Sequence, residues 1–323
     1  MNADTVKTLR GLAGEVLQSG KTSVVIGYRE GWDGSRPVPC FIRRPEEAGV
    51  LIFDDRCTMS LAKYVIDFVG QKGRLGPDGR VAVLLKGCDS LGLRRLVMDR
   101  RIDRGSVYAV GVRCGIAGAG VPTKCAGCGN TEPVDCDVVI GETGGPPAGD
   151  RASPPTGAPA GDRAGVPAAG RASDCAGGPA GDGGSSRRDF SKIDELERLS
   201  AEERYRYWAR RFERCIRCYA CRNACPACHC RECSLDPGGL WLTAERTISE
   251  QAMYHFARAF HVAGRCTDCG ECERVCPVGL PLTAINRKIM RDVKNLFGVE
   301  KPEMPEETEP FGRYSGDDPE EFM

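Results

Sequence analysis

The feature that most constrains this chain is a cysteine pattern that occurs twice, C-x2-C-x2-C-x3-C followed by proline. The first copy ends at Pro226 and the second at Pro277; together they contain Cys215, Cys218, Cys221, Cys225, Cys266, Cys269, Cys272 and Cys276. Three closely spaced cysteines require a tight loop whose side chains converge. The proline after the fourth cysteine fixes φ and removes a backbone donor, so the chain turns away there.

This spacing is the ligand pattern of bacterial ferredoxins, in which the fourth cysteine of each run binds the cluster held by the other run. Applied here, one cluster takes Cys215, Cys218, Cys221 and Cys276, and the other takes Cys266, Cys269, Cys272 and Cys225. Zinc is the alternative, but zinc sites of this type use two cysteine pairs rather than three cysteines and a distant fourth. The runs therefore predict two [4Fe-4S] clusters and electron transfer.

Composition favours this interpretation over a secreted, disulfide-bonded protein. The chain has 323 residues, 19 cysteines and zero formal net charge. Many cysteines in a secreted protein form disulfides, but these lie at metal-ligand spacing. Residues 1–20 carry charges throughout, unlike a signal peptide, and no apolar run approaches the ~20 residues that span a bilayer. We expect a protein of the reducing cytoplasm with no transmembrane segment and no nucleic-acid partner.

Residues 1–141 alternate short apolar runs with amphipathic stretches. Strands are predicted at 23–28, 50–53, 81–86, 107–112 and 137–140, and helices at 58–69 and 90–101. This order predicts an α/β domain with a mostly parallel sheet. Cys88 and Cys114 follow two of these strands, and Cys125 and Cys128 form a C-x2-C loop. Because sites gather at the carboxyl ends of strands, we expect these thiols to surround a third [4Fe-4S] cluster.

Three segments follow. Residues 142–190 are rich in Gly, Pro and Ala and repeat the unit PAGDRA; they bury too little apolar surface to offset their ordering entropy, which predicts a disordered linker. Residues 191–300 are predicted to form a mostly helical, two-cluster ferredoxin-like domain, with a capping box at Ser200, a basic helix at 204–214 and a spacer helix at 248–262. Residues 301–323 form an acidic tail. From the linker we predict that the ferredoxin-like domain is the mobile or dockable end of a longer electron relay.

Three cysteines beside the first run have no place in two clusters, namely Cys228, Cys230 and Cys233, with His229 among them. Two interpretations stay open, a further metal site and thiols that only stiffen the loop. Cys57 follows a predicted strand end and is interpreted as a packing thiol.

The N-terminal motifs resemble those of a known family. Residues 86–90 (KGCDS), 111–115 (GVRCG), 124–128 (KCAGC) and 133–141 (PVDCDVVIG) are similar to the β-subunits of the deazaflavin-reducing hydrogenases and the related formate dehydrogenases. The two cysteine runs resemble the ferredoxin domain fused to a subgroup of that family. The resemblance implies that Cys88, Cys114, Cys125 and Cys128 bind one cluster, and that a flavin reduces a deazaflavin coenzyme. No G-x-G-x-x-G loop follows a strand here, so flavin binding stays open.

The predicted function is an iron-sulfur electron-transfer subunit of an anaerobic oxidoreductase complex of the formate dehydrogenase, hydrogenase or heterodisulfide reductase type. Its expected partners are other redox subunits, including a flavoprotein. We assign no catalytic residue, because no activated nucleophile or general base stands out. The alternative is a flavin-containing oxidoreductase subunit that reduces a deazaflavin, a quinone or a ferredoxin. A zinc-scaffolded interaction protein is the third hypothesis.

Overall fold

The computed structural model describes residues 3–69, 79–115, 124–125, 128–141, 190–236 and 247–298. The predicted linker, apart from its last residue, and the predicted acidic tail lie outside these ranges. Over the described residues, no helix is both long enough and apolar enough to cross a membrane.

A mixed five-stranded sheet forms the centre of the N-terminal part. Its strands are β1 (Thr22–Glu30), β2 (Pro37–Ile42), β3 (Arg80–Leu85), β4 (Val107–Val112) and β5 (Val138–Ile140). The order across the sheet is β2-β1-β3-β4-β5. β2 runs antiparallel to β1, and the other three neighbouring pairs are parallel. The carboxyl ends of β3 and β4 therefore meet at one edge of the sheet.

Helices flank this sheet. They are α1 (Ala3–Gln18), α2 (Val65–Val69) and α3 (Gly87–Met98), with short 3-10 segments at Pro45–Val50, Ala62–Tyr64 and Arg104–Ser106. Helix α1 buries Leu9, Ala13 and Val16 in the same core as the strands. Their spacing of three and four residues places them on one face of the helix.

The structure corrects part of the sequence-based secondary structure. Strands β1, β3, β4 and β5 are confirmed, but the strand predicted at 50–53 is wrong, since Ile52 makes only an isolated bridge to Tyr28. Leu51 and Phe53 are buried there, so this apolar run reflects burial without strand pairing. The helix predicted at 58–69 becomes α-helical only at Val65. Strand β2 was not predicted because it contains two prolines, which an edge strand tolerates.

Six helices make up the described C-terminal part. They are α4 (Ser191–Glu197), α5 (Ala201–Phe212), α6 (Ala220–Asn223), α7 (Ile248–His261), α8 (Glu271–Arg274) and α9 (Leu282–Phe297). The predicted capping box is confirmed, because the Ser200 side chain accepts from the Glu203 amide. The predicted spacer helix is confirmed as α7. A small core that includes Phe212, Tyr254 and Leu282 joins these helices.

Polar contacts join the two parts of the chain. The Lys63 Nζ donates to the carbonyl oxygens of Arg222, at 3.2 Å, and Cys228, at 2.6 Å. Asp99, just after α3, lies 2.8 Å from His229 Nε2 and also accepts from Arg265. The ferredoxin-like part is thus packed on the α/β part rather than held apart from it, which the sequence did not indicate.

Candidate functional site

The two cysteine runs fold as the same loop. In the first, Arg217 and Tyr219 have left-handed φ values of 49° and 58°; in the second, Asp268 and Gly270 have 53° and 69°. Each pair flanks the second cysteine of its run. The third cysteine of each run is the second residue of a one-turn helix, α6 in the first run and α8 in the second. A left-handed conformation costs a non-glycine residue about 1–2 kcal/mol. Three non-glycine residues take this conformation at matching positions, which indicates that the surrounding structure imposes it on both loops.

The first group of thiols combines both runs. One cavity is lined by Cys215, Cys218, Cys221 and Cys276. Burial raises the pKa of Cys215, and the nearby Cys221, Cys276 and Cys218 thiols raise it further. Backbone amides approach the sulfurs, since the Leu280 N–H donates to Cys276 Sγ at 3.3 Å.

The second group is made in the same way. Burial raises the pKa of Cys266, Cys269 and Cys272, in the last case to about 12, and the Cys225 thiol adds to each rise. Cys225 comes from the first run but lies among the cysteines of the second. The Asn286 Nδ2 donates to Cys272 Sγ at 3.5 Å.

A third group lies at the sheet edge where β3 and β4 end. Burial raises the pKa of Cys88 and Cys125; the Cys128 thiol raises both further, and Cys114 raises that of Cys125. A Cβ on Gly87 would stand 2.3 Å from the Asn130 carbonyl oxygen. Glycine therefore lets the loop that follows Cys128 approach the beginning of α3.

A buried ion pair separates the third group from the second. Lys124 and Glu271 form this pair, and each side chain is 2% exposed. The Lys124 ammonium lowers the pKa of both Cys88 and Cys269, so it lies near thiols of both groups. Although burial raises it, Lys124 and Arg274 hold the pKa of Glu271 at about 2. The two residues are 147 positions apart along the chain, so local sequence patterns did not predict this contact.

Helix α7 presents a line of buried polar side chains to the first two groups. The Gln251 Nε2 donates to the Cys215 carbonyl at 2.7 Å, and its Oε1 accepts from Arg217 Nε at 2.8 Å. The His255 Nε2 lies 3.3 Å from Cys215 Sγ. Arg258 is 1% exposed, yet within the described ranges none of its three guanidinium nitrogens has a hydrogen-bond partner. The sequence carries a signal for this line, because Gln251, His255 and Arg258 are spaced at i, i+4 and i+7 and so share one face of a helix.

The additional thiols lie beside the second group. Cys228 hydrogen-bonds to Cys225 and lowers the pKa of that thiol. Together with Cys230 and Cys233 it lines a cavity of about 710 Å³ where the two parts of the chain meet. His229 is engaged by Asp99, and Cys57 is buried in the N-terminal core. In the described ranges no three His, Cys, Asp or Glu side chains are grouped closely enough to hold one metal ion.

These residues fit iron-sulfur clusters. A cubane cluster binds its four cysteines through four different iron atoms, so the sulfurs surround a volume and do not meet at one ion. Thiolate is the donor that such clusters take, and binding would displace the protons that burial otherwise holds on these thiols. The cation of Arg258, which lacks a partner, fits the net negative charge of a core with four thiolates.

Comparisons with known proteins agree with this geometry. Residues 211–280 match the 4Fe-4S dicluster domain family. The chain is 33% identical over 105 residues to the F420-dependent formate dehydrogenase subunit beta of Methanocaldococcus jannaschii, covering 32% of this chain and 26% of that protein. It is 28% identical over 112 residues to the F420-dependent formate dehydrogenase 1 subunit beta of Methanococcus maripaludis, covering 34% and 28%. The chain thus spans about a quarter of the length of these relatives. The chain is thus similar to these β-subunits over about a third of its length and contains a match to the 4Fe-4S dicluster domain, which confirms the resemblance drawn from its motifs.

Proposed function

We propose that the chain is an iron-sulfur electron-transfer subunit of an anaerobic oxidoreductase complex of the formate dehydrogenase, hydrogenase or heterodisulfide reductase type. One observation carries the proposal. Two thiol groups, each completed by a cysteine of the other run, lie within the segment that matches the 4Fe-4S dicluster domain family. Exchange of the fourth ligand is the arrangement of two-cluster ferredoxins.

In this proposal the chain holds three clusters. Cys215, Cys218, Cys221 and Cys276 bind the first, Cys266, Cys269, Cys272 and Cys225 the second, and Cys88, Cys114, Cys125 and Cys128 the third. When bound, such clusters accept and release single electrons. The protein's own contribution is to keep the thiols dry, to donate amides to sulfur, and to hold cations near them, which are the means by which a protein adjusts cluster potentials.

The buried cations give the relay an order. Lys124 neighbours thiols of the third and second groups, and Arg258 neighbours thiols of the second and first, namely Cys272, Cys225 and Cys221. These residues would therefore hold the second cluster between the other two, and when bound it would allow electron transfer between the α/β part and the first cluster.

The remaining assignments follow from this function. The domain limits are 1–141 for the α/β domain, 142–190 for a linker, 191–300 for a mostly helical ferredoxin domain and 301–323 for a tail. The cytoplasm is the compartment, which is supported by the metal-ligand spacing of the cysteines, since disulfides are typical of oxidising compartments. Partners are other redox subunits, as the relatives' names as dehydrogenase subunits suggest.

One observation favours the alternative, a flavin-containing subunit that reduces a deazaflavin, a quinone or a ferredoxin. The cavity of about 710 Å³ is within the range of about 300–1,000 Å³ in which ligand pockets fall. Lys63, Arg222 and Arg274 are among its basic wall residues. A flavin in this cavity would make the chain a site of hydride transfer as well as a relay.

Iron, sulfide and flavin content per chain, measured after anaerobic purification, tests both functions. Three clusters predict about twelve irons and as many sulfides. About eight irons would remove the third cluster, and about sixteen would assign a cluster to Cys228, Cys230 and Cys233. Flavin near one per chain favours the alternative. A colourless protein that holds zinc and no iron contradicts both functions.

A further inference from the structure

Arg258 is a buried cation whose protein surroundings do not compensate it. It is 1% exposed, and its Nε and both terminal nitrogens are without hydrogen-bond partners among the described residues. Burying a charge in this way is unfavourable unless a counter-charge is present. A helix residue with these properties needs a partner that the described part of the chain does not supply.

The neighbours of Arg258 indicate that partner. On the same stretch of α7, the Tyr254 hydroxyl lies 3.6 Å from Cys221 Sγ and the His255 Nε2 lies 3.3 Å from Cys215 Sγ. Arg258 follows within one turn and lines the cavity that Cys228 also lines. Burial lowers the pKa of Arg258, but the nearby thiols of Cys272, Cys221, Cys225 and Cys228 raise it. Cys272 and Cys225 belong to the proposed second cluster, and Cys221 belongs to the first. The guanidinium therefore lies at the junction of the two clusters and is close to ligands of both.

The other polar residues on the same face of α7 have different surroundings. Gln251 is satisfied by a carbonyl and by Arg217. His255 contacts Cys215 Sγ and stacks on Phe212, with ring centroids 5.1 Å apart. Arg258 differs from both, since it is a buried arginine and its three guanidinium nitrogens have no hydrogen-bond partner among the described residues.

We propose that Arg258 is a positioning residue for electron transfer, which donates N–H groups toward both clusters of the ferredoxin-like part and raises their reduction potentials. The inference rests on the proposed function. Reduction adds one electron to a cluster and breaks no bond, so the reduced cluster is one charge more negative. A fixed positive charge stabilises that reduced form more than the oxidised form. By lying between the clusters, it also screens their mutual repulsion.

An EPR-monitored redox titration of the anaerobically purified full chain tests this. In Arg258→Gln the first and second clusters should both become harder to reduce, by at least tenfold in the reduction equilibrium, which is 59 mV for a one-electron couple. Arg258→Lys retains the charge and should shift less. The matched control is Arg206→Gln, which removes an arginine that is 63% exposed and should leave the potentials unchanged. Normal iron with unchanged potentials in Arg258→Gln would overturn the inference.

A second measurement tests the contact between Arg258 and the clusters directly. The reduced wild-type chain is labelled with 15N only in the guanidinium groups of arginine, because the Arg217 backbone N–H also lies near a sulfur, 3.5 Å from Cys215 Sγ. Pulsed EPR should then show coupling of cluster electron spin to a guanidinium nitrogen, and the Arg258→Lys variant should lose the contribution of Arg258. Absence of the coupling in wild type would also overturn the inference. Failure of the proposed function would look different, because the wild-type chain would then contain no iron.

Discussion

At the residue scale, the exchange of fourth cysteines decides how the two runs depend on each other. Cys276 lies with Cys215, and Cys225 lies with the cysteines of the second run. Neither run can complete a four-thiolate site from its own loop. The two runs should therefore assemble together, and damage in one run should appear in the cluster of the other.

Cys276→Ser should remove the cluster held by Cys215, Cys218 and Cys221, and Cys225→Ser should remove the cluster of the second run. The reason is that a serine oxygen is a poor substitute for a thiolate in an iron-sulfur site. Each variant should lose up to about four irons, and EPR of the reduced protein should identify which signal is lost. Cys230→Ser is the control, since this exposed cysteine is outside both ligand sets. Loss of the opposite signal in each variant would refute the exchange.

At the scale of elements, the short loops and helices matter through what they bring into contact. Gly270 precedes α8, and a Cβ there would stand 2.5 Å from the Lys124 Cβ. Tyr219 occupies the matching position of the first run and has a similar φ. Glycine at position 270 therefore has two roles. It allows the close approach of Lys124 from the α/β part, and it adopts the positive φ that both loops share.

Gly270→Ala should loosen the contact between Lys124 and α8. Overpacking of this kind costs about 1–3 kcal/mol, so hydrogen exchange in the peptides that contain residues 124–125 and 271–274 should accelerate by about tenfold or more. Gly279→Ala is the matched control, since Gly279 also has a positive φ but no atom lies within 4 Å of its added Cβ. Equal acceleration in both variants would mean that backbone strain, not the Lys124 contact, explains the effect.

At the scale of the whole molecule, Asp99 joins the two parts. It accepts from Arg95 within α3 and from His229 and Arg265 of the C-terminal part. Burial raises the pKa of Asp99, but these three partners hold it well below its ordinary value. A depressed carboxyl pKa gives stability that is present above the unfolded value, about 3.9, and is lost as pH falls through the folded value. The Asp99 carboxylate should therefore stay ionised between pH 5 and pH 8, so its ion pairs with Arg95 and Arg265 are not lost in this range.

Asp99→Asn should weaken this junction by up to about 3–5 kcal/mol, because it removes the carboxylate that Arg265 and the buried Arg95 share. Limited proteolysis of the full chain at pH 7 should then separate the two parts faster than in wild type, and lowering the pH to 5 should not accelerate cleavage of wild type. Asp292→Asn is the control, since its ion pair with Lys288 is about 40% exposed on both sides and contributes at most about 1 kcal/mol. Equal cleavage rates in the two variants would contradict a joining role for Asp99.

The sequence by itself determined the cysteine runs, the ligand type, four of the five strands and the spacer helix. These features depend on residue spacing and hydrophobic periodicity, both of which are visible within a short stretch of sequence. Only the tertiary structure brought Lys124 to Glu271, Asp99 to Arg265, and Arg258 to thiols of both runs. A charged side chain looks the same in a sequence whether it is solvated or buried, because its partner is distant along the chain. The proposed cofactor follows from local chemistry, whereas the proposed order and electrostatic setting of the clusters follow from packing.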